Sequence, residues 1–342
     1  MTPSPVLWRC ITALVVAATL APAAAFAHHS SAMFDFEQEV TVEGVVTRYD
    51  WANPHVYIYF NVAEDDGSIL EWEVEGFPPA FLRRVGWSRD TLAPGDAITV
   101  SGNPSRRDNL LSLYPSFIAR GDETLLDRRA LVEEIVDASS PEPVSSDGLS
   151  GVWIADTSLE DLLDPENMAL TDAGAAAAEA FDETTMHPGL QCIPMPPPAS
   201  MYIRDVKEVV VGDDEVRIGT EFDGVERVIH IDSAPDEANA DPPVHGVSVG
   251  RWVTGDLVVE TTGFAPHAVG AAFGLPSGPN KALFERFTLS EDGATLTYAF
   301  ELMDPEFMAE PVAAESVWVY RPDVTFAPEA CVLENARRFA EE

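Results

Sequence analysis

The sequence predicts an all-β protein with minor helices: a small five-stranded barrel followed by a larger antiparallel up-and-down β-barrel. Three observations predict it. Alternating and β-branched runs recur in both halves, at 39–49, 55–62 and 69–75 and then through most of 207–320. Tight turn pairs such as Asp66-Gly67, Gly212-Asp213, Asp223-Gly224 and Asp292-Gly293 separate these runs. A Ser/Pro/Asp-rich stretch over 137–149 divides the two halves.

Residues 1–27 read as a signal peptide. Arg9 precedes an apolar run from Ile11 to Leu20, and Ala25-Phe26-Ala27 forms a small-residue cleavage site. Cleavage near Ala27 predicts a periplasmic or secreted protein that begins at His28-His29-Ser30. A cut after Ala25 would instead start the chain at Phe26-Ala27-His28. The first domain then covers 28–121. Its three strands are followed by Pro78-Pro79 opening a short helix over Ala80–Val85, and by two further strands at 96–102 and 110–118. Three strands, a helix and two strands is the order of an OB-like barrel. Residues 122–149 are read as an amphipathic helix over 122–136, with Leu125, Leu126, Ala130, Leu131 and Ile135 near one face, and then the linker.

The second domain, 150–342, opens with Gly151-Val152-Trp153. An alanine-rich helix over Asp172–Phe181 is capped by Thr171 or Asp172. Pro194 and Pro196-Pro197-Pro198 impose an extended crossing. Strands follow at Lys207–Val211, Glu215–Phe222, Glu226–Ile231, Gly246–Val253, Asp256–Thr262, Ala282–Leu289, Thr295–Leu302 and Glu315–Tyr320. Short connections between antiparallel strands suggest a closed barrel.

Asp and Glu number 58 against 20 Lys and Arg, a net charge of −38. A field of that sign repels nucleic acid and anionic membrane. After the leader no apolar run is long enough to span a bilayer. The partners left are metal ions and small molecules. Lys207 and Lys281 are the only lysines. Cys10 leaves with the leader, so Cys192 and Cys331 remain as an even pair in an oxidising compartment. A Cys192–Cys331 disulfide would join the start of the second domain to its end, stabilising it by about 4 kcal/mol in the chain-entropy treatment. The alternative, two thiolates on a metal, lacks any C-x-x-C partner.

His28, His29 and His55 form the candidate metal set. A free α-amine beside an imidazole chelates copper, and His55, after Asn53-Pro54, could add a third nitrogen. Asp35 and Asp50 could orient an imidazole. The plainer reading of His55 is a half-buried histidine bonded to a backbone carbonyl. In the second domain His245, Arg251, Trp252 and Trp318 form the candidate ligand pocket, one cation with aromatic walls. The plainer reading places the tryptophans in the core and Arg251 at the barrel end. No His-Glu-x-x-His, Gly-x-Ser-x-Gly or phosphate-loop pattern is present, so the sequence offers no catalytic residues.

Several of these residues also carry a resemblance. His28-His29-Ser30, Phe34-Asp35, Val42–Val46, Trp51-x-Asn53-Pro54-His55-Val56 and Gly86-Trp87-x-Arg89-Asp90-x-Leu92-x-Pro94-Gly95-Asp96 resemble the exported bacterial DUF6152 family of unknown function over 28–120. Gly151-x-Trp153, His245-x-x-x-Val249-Gly250-Arg251-Trp252, Asp256–Thr261 and Cys331-x-x-Glu334-Asn335 are similar to uncharacterised secreted domains fused to that family. The Gly-x-Trp opening is similar to lipocalins. The resemblance implies no activity and no catalytic residues. The reading is therefore a non-catalytic exported binding protein with copper at its terminal histidines. The alternatives are a lipocalin-like carrier of a small apolar ligand in the second barrel and a copper-dependent redox enzyme.

Overall fold

The computed structural model describes residues 33–107, 109–129, 144–155, 163–203, 205–221, 224–234 and 242–338. They form two closed β-barrels with few helices.

The first barrel is built from β1 (Val40–Asp50), β2 (Tyr57–Ala63), β3 (Ile69–Glu75), β4 (Ala97–Pro104) and β5 (Ser112–Arg120), with helix Pro79–Arg84 between β3 and β4. β1 pairs with β2 and β4, β2 with β3, and β4 with β5, all antiparallel. The ring closes through a parallel contact of Glu73 and Val74 on β3 with Ser112 and Leu113 on β5. Parity requires that contact. Strand direction flips at each antiparallel pair, so five strands can close only with an odd number of parallel pairs. The interior is apolar, with Val46, Ile58, Phe60, Val74, Ile98, Val100 and Ile118 in one cluster.

Residues 122–136 differ from the expected helix. Glu123–Asp127 is a strand, β6, paired with β5 through Phe117↔Asp127 and Ile118↔Leu126. β3 covers only the first two residues of β5, so the far half of that edge has main-chain groups to satisfy. β6 supplies the partner and buries Leu126 in the barrel core. Tertiary pairing overrides the helical spacing of the leucines. Residues 130–143, most of the expected linker, lie outside the described residues.

The second barrel contains β7 (Gly151–Ala155), β8 (Val206–Val211), β9 (Glu215–Thr220), β10 (Val225–Ile231), β11 (Val247–Val253) and β12 (Asp256–Thr262). After a small hairpin of β13 (His267–Ala272) and β14 (Leu275–Ser277) it continues with β15 (Ala282–Leu289), β16 (Thr295–Met303) and β17 (Val312–Tyr320). Nine of these strands close in chain order, with β17 returning to β7. All neighbours are antiparallel except β10 and β11, which pair in parallel at Ile229↔Ser248. An odd strand number again requires an odd number of parallel pairs, and here the parallel pair falls between strands separated in sequence by residues 232–246. The helix Asp172–Ala180 is capped by Thr171, whose side chain accepts from the Gly174 amide.

The chain then turns back. After β17 the C-terminal segment crosses to the first barrel. Cys331 lies beside Asn53 in a parallel bridge, with Asn53 N donating to Ala330 O at 3.3 Å and Val332 N donating to Asn53 O at 3.0 Å. The Cys192–Cys331 disulfide is formed, with the Cα atoms 5.7 Å apart. It therefore joins the second barrel's cap to a tail docked on the first barrel. Helix Leu333–Arg337 follows, with Arg337 Nε donating to Leu190 O at 3.1 Å.

Candidate functional site

Two places gather chemically capable groups. The first is the end of the small barrel around His55. The cis Asn53–Pro54 bond precedes it, and Asn53 is buried as the anchor of the returning tail. Asn53 Nδ2 donates to Glu329 O at 2.8 Å, and Asn335 Nδ2 donates to His55 O at 3.1 Å. The Glu329 carboxylate takes Trp51 Nε1 at 3.1 Å together with the guanidinium groups of Arg83 and Arg89. The Asn-Pro-His element thus holds the two barrels together. No local pattern signals that role, because its partners lie about 280 residues away.

The His55 ring has its own geometry. Nδ1 lies 3.0 Å from Gly76 O and 3.7 Å from Glu75 Oε1, with the side chain 21% exposed. An Nδ1–H donating to that carbonyl leaves Nε2 as the lone-pair nitrogen, the tautomer a metal-ligating histidine adopts. His28 and His29 lie outside the described residues. The described chain starts near this end: the Phe34 ring packs on Tyr114 at 5.6 Å, Tyr114 on Phe77 at 5.5 Å, and Phe77 follows Gly76. Asp35 and Asp50 do not serve His55. Asp35 accepts from Gln38 Nε2 at 2.6 Å, and Asp50 pairs with Arg48 at 3.1 Å. Among the described residues no three His, Cys, Asp or Glu side chains converge as a metal site.

The second place is the interior of the large barrel. Its inward positions are filled, with Trp153, Trp318, Tyr298, Phe287 and Arg227 fully buried. The expected pocket does not assemble there. Trp318 is buried in the core, packed on Phe287 and Tyr298, while Arg251 and Trp252 are exposed at the end of β11, Trp252 by 43%. Arg251 also has the outward parity of its strand, since Ser248 and Gly250 face in. Of that set only His245 belongs to the groups described next.

Alternate positions on five strands place a buried polar network in the barrel. The Arg227 guanidinium forks onto Glu285, at 2.8 Å to Oε1 and 2.5 Å to Oε2, and donates to Ser248 Oγ at 3.0 Å and Thr261 Oγ1 at 2.8 Å. The Tyr298 hydroxyl donates to Glu285 Oε1 at 2.9 Å. This network is fully partnered, which is what a buried charge pair requires. Both lysines of the chain are buried here too. Lys207 is paired with Asp205 and donates to Ile203 O at 2.7 Å. Lys281 is held by carbonyls: Nζ donates to Pro197 O at 2.8 Å and to Gly270 O at 2.5 Å, and lies 4.0 Å from the Phe264 ring centroid. Gly270 itself packs so closely on Ser277 that a Cβ there would collide with Ser277 Oγ.

Residues 194–198 cross this end of the barrel as a proline-rich strap. Its carbonyls are held by side chains from below. His267 Nε2 donates to Pro194 O at 3.1 Å, His245 hydrogen-bonds the Met195 backbone, and Lys281 takes Pro197. Proline suits the strap because it has no N–H of its own to satisfy. Burial pushes His245 and His267 down to about 4, with the Lys281 charge adding to it. Burial likewise pushes Lys281 down to about 7, against the pull of Asp304 and Glu285. His267 and His187, the latter also pushed down to about 4 by burial, line an outer cleft of about 220 Å³ with Leu190, Ile193 and Pro266. A more open hollow of about 420 Å³ on the first barrel, between Arg48, Tyr49, Arg89 and Pro94, contains none of these groups.

Two buried atoms in this region are unsatisfied. Neither His245 Nε2 nor Ser200 Oγ, in the short helix Ala199–Tyr202 that ends the strap, has a hydrogen-bond partner among the described residues. Sequence reading found His245 but missed Arg227, Glu285, Lys281 and His267. A faint signal existed: a chain with two lysines places both in strand regions of one domain.

Comparison with known proteins bears on these sites only lightly. Residues 15–113 match a family described as a family of unknown function, DUF6152, so the small barrel is similar to that family. No curated protein matches the chain. Among solved structures, a mutant of the fluorescent protein UnaG aligns over 50% of this chain and 95% of its own, at 15% identity and a TM-score of 0.26. The yeast Stn1 and Ten1 structure aligns over 32% of this chain and 58% of its own, at 7% identity and a TM-score of 0.18. Neither score supports an inference about function. No helix among the described residues is long and apolar enough to cross a membrane.

Proposed function

We propose that the chain is an exported, non-catalytic binding protein that takes up Cu(II) at the end of its small barrel, through the mature terminus at His28 and the His55 imidazole. The carrying observation is the 3.0 Å contact of His55 Nδ1 with Gly76 O; a proton on Nδ1 shared with that carbonyl leaves Nε2 free to present a lone pair. The Glu75 carboxylate 3.7 Å from the ring adds a negative field that favours a cation. The five residues from His28 to Ala32 could extend up to about 17 Å, and the described chain begins beside the packed Phe34–Tyr114–Phe77 rings. An α-amine, its neighbouring imidazole and His55 give three nitrogens, a donor set suited to Cu(II). The Cys192–Cys331 disulfide is in keeping with an oxidising compartment.

Calorimetric titration of Cu(II) into protein processed by the cell tests the reading. Tight one-to-one binding is expected, weakened at least ten-fold both by His55→Ala and by an extra N-terminal Met that blocks the amine chelate. Equal affinity in all three forms would refute it. The carrier alternative for an apolar ligand has no supporting cavity among the filled inward positions of the large barrel, and the redox-enzyme alternative has no further residue in its favour.

A further inference from the structure

Part of the outer face of the small barrel is buried. On β2 and β3, Ile58, Phe60 and Val74 point into the core, so their neighbours Tyr57, Tyr59, Glu73 and Glu75 point outward. All four are nevertheless buried, Tyr57 completely. The C-terminal tail lies against them. Arg338 pairs with Glu73, its Nε 3.0 Å from Oε2, and its guanidinium carbon stands 4.8 Å from the Tyr59 ring centroid and 5.8 Å from that of Tyr57. At the other end of the tail, main-chain bonds join Asn53 to Ala330 and Val332, and the Glu329 carboxylate is clamped by Trp51, Arg83 and Arg89. Main-chain bonds with charged anchors at separate points are how a protein holds an extended peptide. The contact is polar. The tail's aliphatic side chains Val332 and Leu333 stay 41% and 47% exposed, so no apolar core fixes the tail in place. The fit is also incomplete. The Tyr57 hydroxyl and Ser112 Oγ, on the same face beside Glu73, are buried with no hydrogen-bond partner among the described residues. Such groups are costly to leave unpaired, so the face can take more than the tail gives it. Carboxylates beside tyrosine rings select a cation, and a planar guanidinium satisfies both. The barrel's share of the contact lies within the family-matched span 15–113, and the tail lies outside it.

We infer that this face of the small barrel is a recognition site for an extended peptide segment that presents an arginine, and that the chain's own tail is its tethered occupant. A partner segment competes with the tail by placing a carboxylate in the Arg83–Arg89 clamp and, further along, a guanidinium on Glu73 against the Tyr59 ring. The Cys192–Cys331 disulfide keeps the tail at hand, because it ties the middle of the tail to the second barrel's cap. A tethered occupant has a high effective concentration, so the face stays masked until the tail is loosened. Charged anchors make that hold sensitive to salt. The site does not depend on copper.

The test uses the full processed chain, stripped of metal. The probe is a fluorescent synthetic peptide of residues 326–338 carrying Cys331→Ser, followed by anisotropy. A full-chain variant with Glu329→Gln and Arg338→Ala has both anchors of its own tail weakened, and dithiothreitol converts its disulfide to two thiols. That opened protein is expected to bind the probe at least ten-fold more tightly than oxidised wild type does. A probe with Arg338→Ala is expected to bind it at least ten-fold more weakly, since the charge-assisted pair with Glu73 is lost. Hydrogen exchange on wild type needs no variant. With rising salt the tail amides of Val332 and Ala336 should exchange faster, while those of Phe60 and Val74 stay protected. No binding by the opened protein, equal binding by oxidised wild type, indifference to the probe's arginine, or tail amides that exchange only together with β2 would overturn the inference.

Discussion

Each barrel holds one imidazole by a backbone hydrogen bond and surrounds it differently. His55 places Nδ1 3.0 Å from Gly76 O, while His245 hydrogen-bonds the Met195 backbone and its Nε2 has no partner among the described residues. His55 sits at a partly exposed barrel end beside Glu75, in a barrel whose core cluster is built from apolar side chains such as Val46, Phe60 and Ile118. His245 is enclosed beside Arg227, Lys281 and His267 in an interior that carries ions. The same side chain therefore meets opposite fields. A carboxylate and partial exposure surround His55, and buried positive charge surrounds His245. The neighbouring charges, not the imidazole itself, make the two places different.

The largest way to break this contrast is to remove the ion pair that sets it. Arg227→Met leaves the Glu285 carboxylate buried alone and should cost about 4–5 kcal/mol of urea stability, followed by tryptophan fluorescence. Adding Glu285→Leu should restore most of that loss, since a paired apolar replacement leaves no orphan charge. An Ile98→Val change in the apolar small barrel should cost only about 1 kcal/mol.

Cutting the tie between the two regions comes next. Cys192→Ser with Cys331→Ser should lose about 4 kcal/mol, because a loop with a sequence separation of 139 residues is freed in the unfolded chain. Non-reducing peptide mapping should find the pair joined in exported protein.

A pH series then separates the two histidine classes. His187, His245 and His267 have folded values of about 4 against the ordinary 6.5. Between those limits the unfolded chain binds more protons, so stability falls as pH drops from 6.5 towards 4, by about 2 kcal/mol per histidine. Urea midpoints at pH 7 and 4.5 should show that loss, and His187→Gln should flatten it by about a third. Lys281 works in the alkaline window with the same sign. Its folded value of about 7 lies below the ordinary 10.5, so its contribution rises with pH between them.

The smallest effect concerns the seam. Glu329→Gln weakens the carboxylate that holds Arg83, Arg89 and Trp51, and should cost about 1 kcal/mol while speeding limited proteolysis of the tail.

The strand runs were legible because alternation is a local property. Ile69–Glu75, Asp256–Thr262 and Ala282–Leu289 fall where the pattern places them. The disulfide was legible by counting cysteines. The Glu123–Asp127 strand was not, because its leucines are compatible with a helix face until β5 offers an open edge. The ligand pocket misread Trp252 and Arg251 for a similar reason: a strand's sequence gives its alternation but not where its end emerges from the core.

By itself, then, the sequence determined the all-β class, the two barrels and the pairing of Cys192 with Cys331. Periodicity, turn residues and parity of cysteines act over a few residues or by simple count. Only the tertiary structure decided that each ring closes through one parallel pair, that Asn53 and His55 meet Cys331 and Asn335 across the two barrels, and that Lys281 is buried on backbone carbonyls while Arg227 and Lys207 sit in close ion pairs. Those features depend on which strands become neighbours around a closed ring. Burial and charge pairing are set by that neighbourhood, and no local window of the chain contains it.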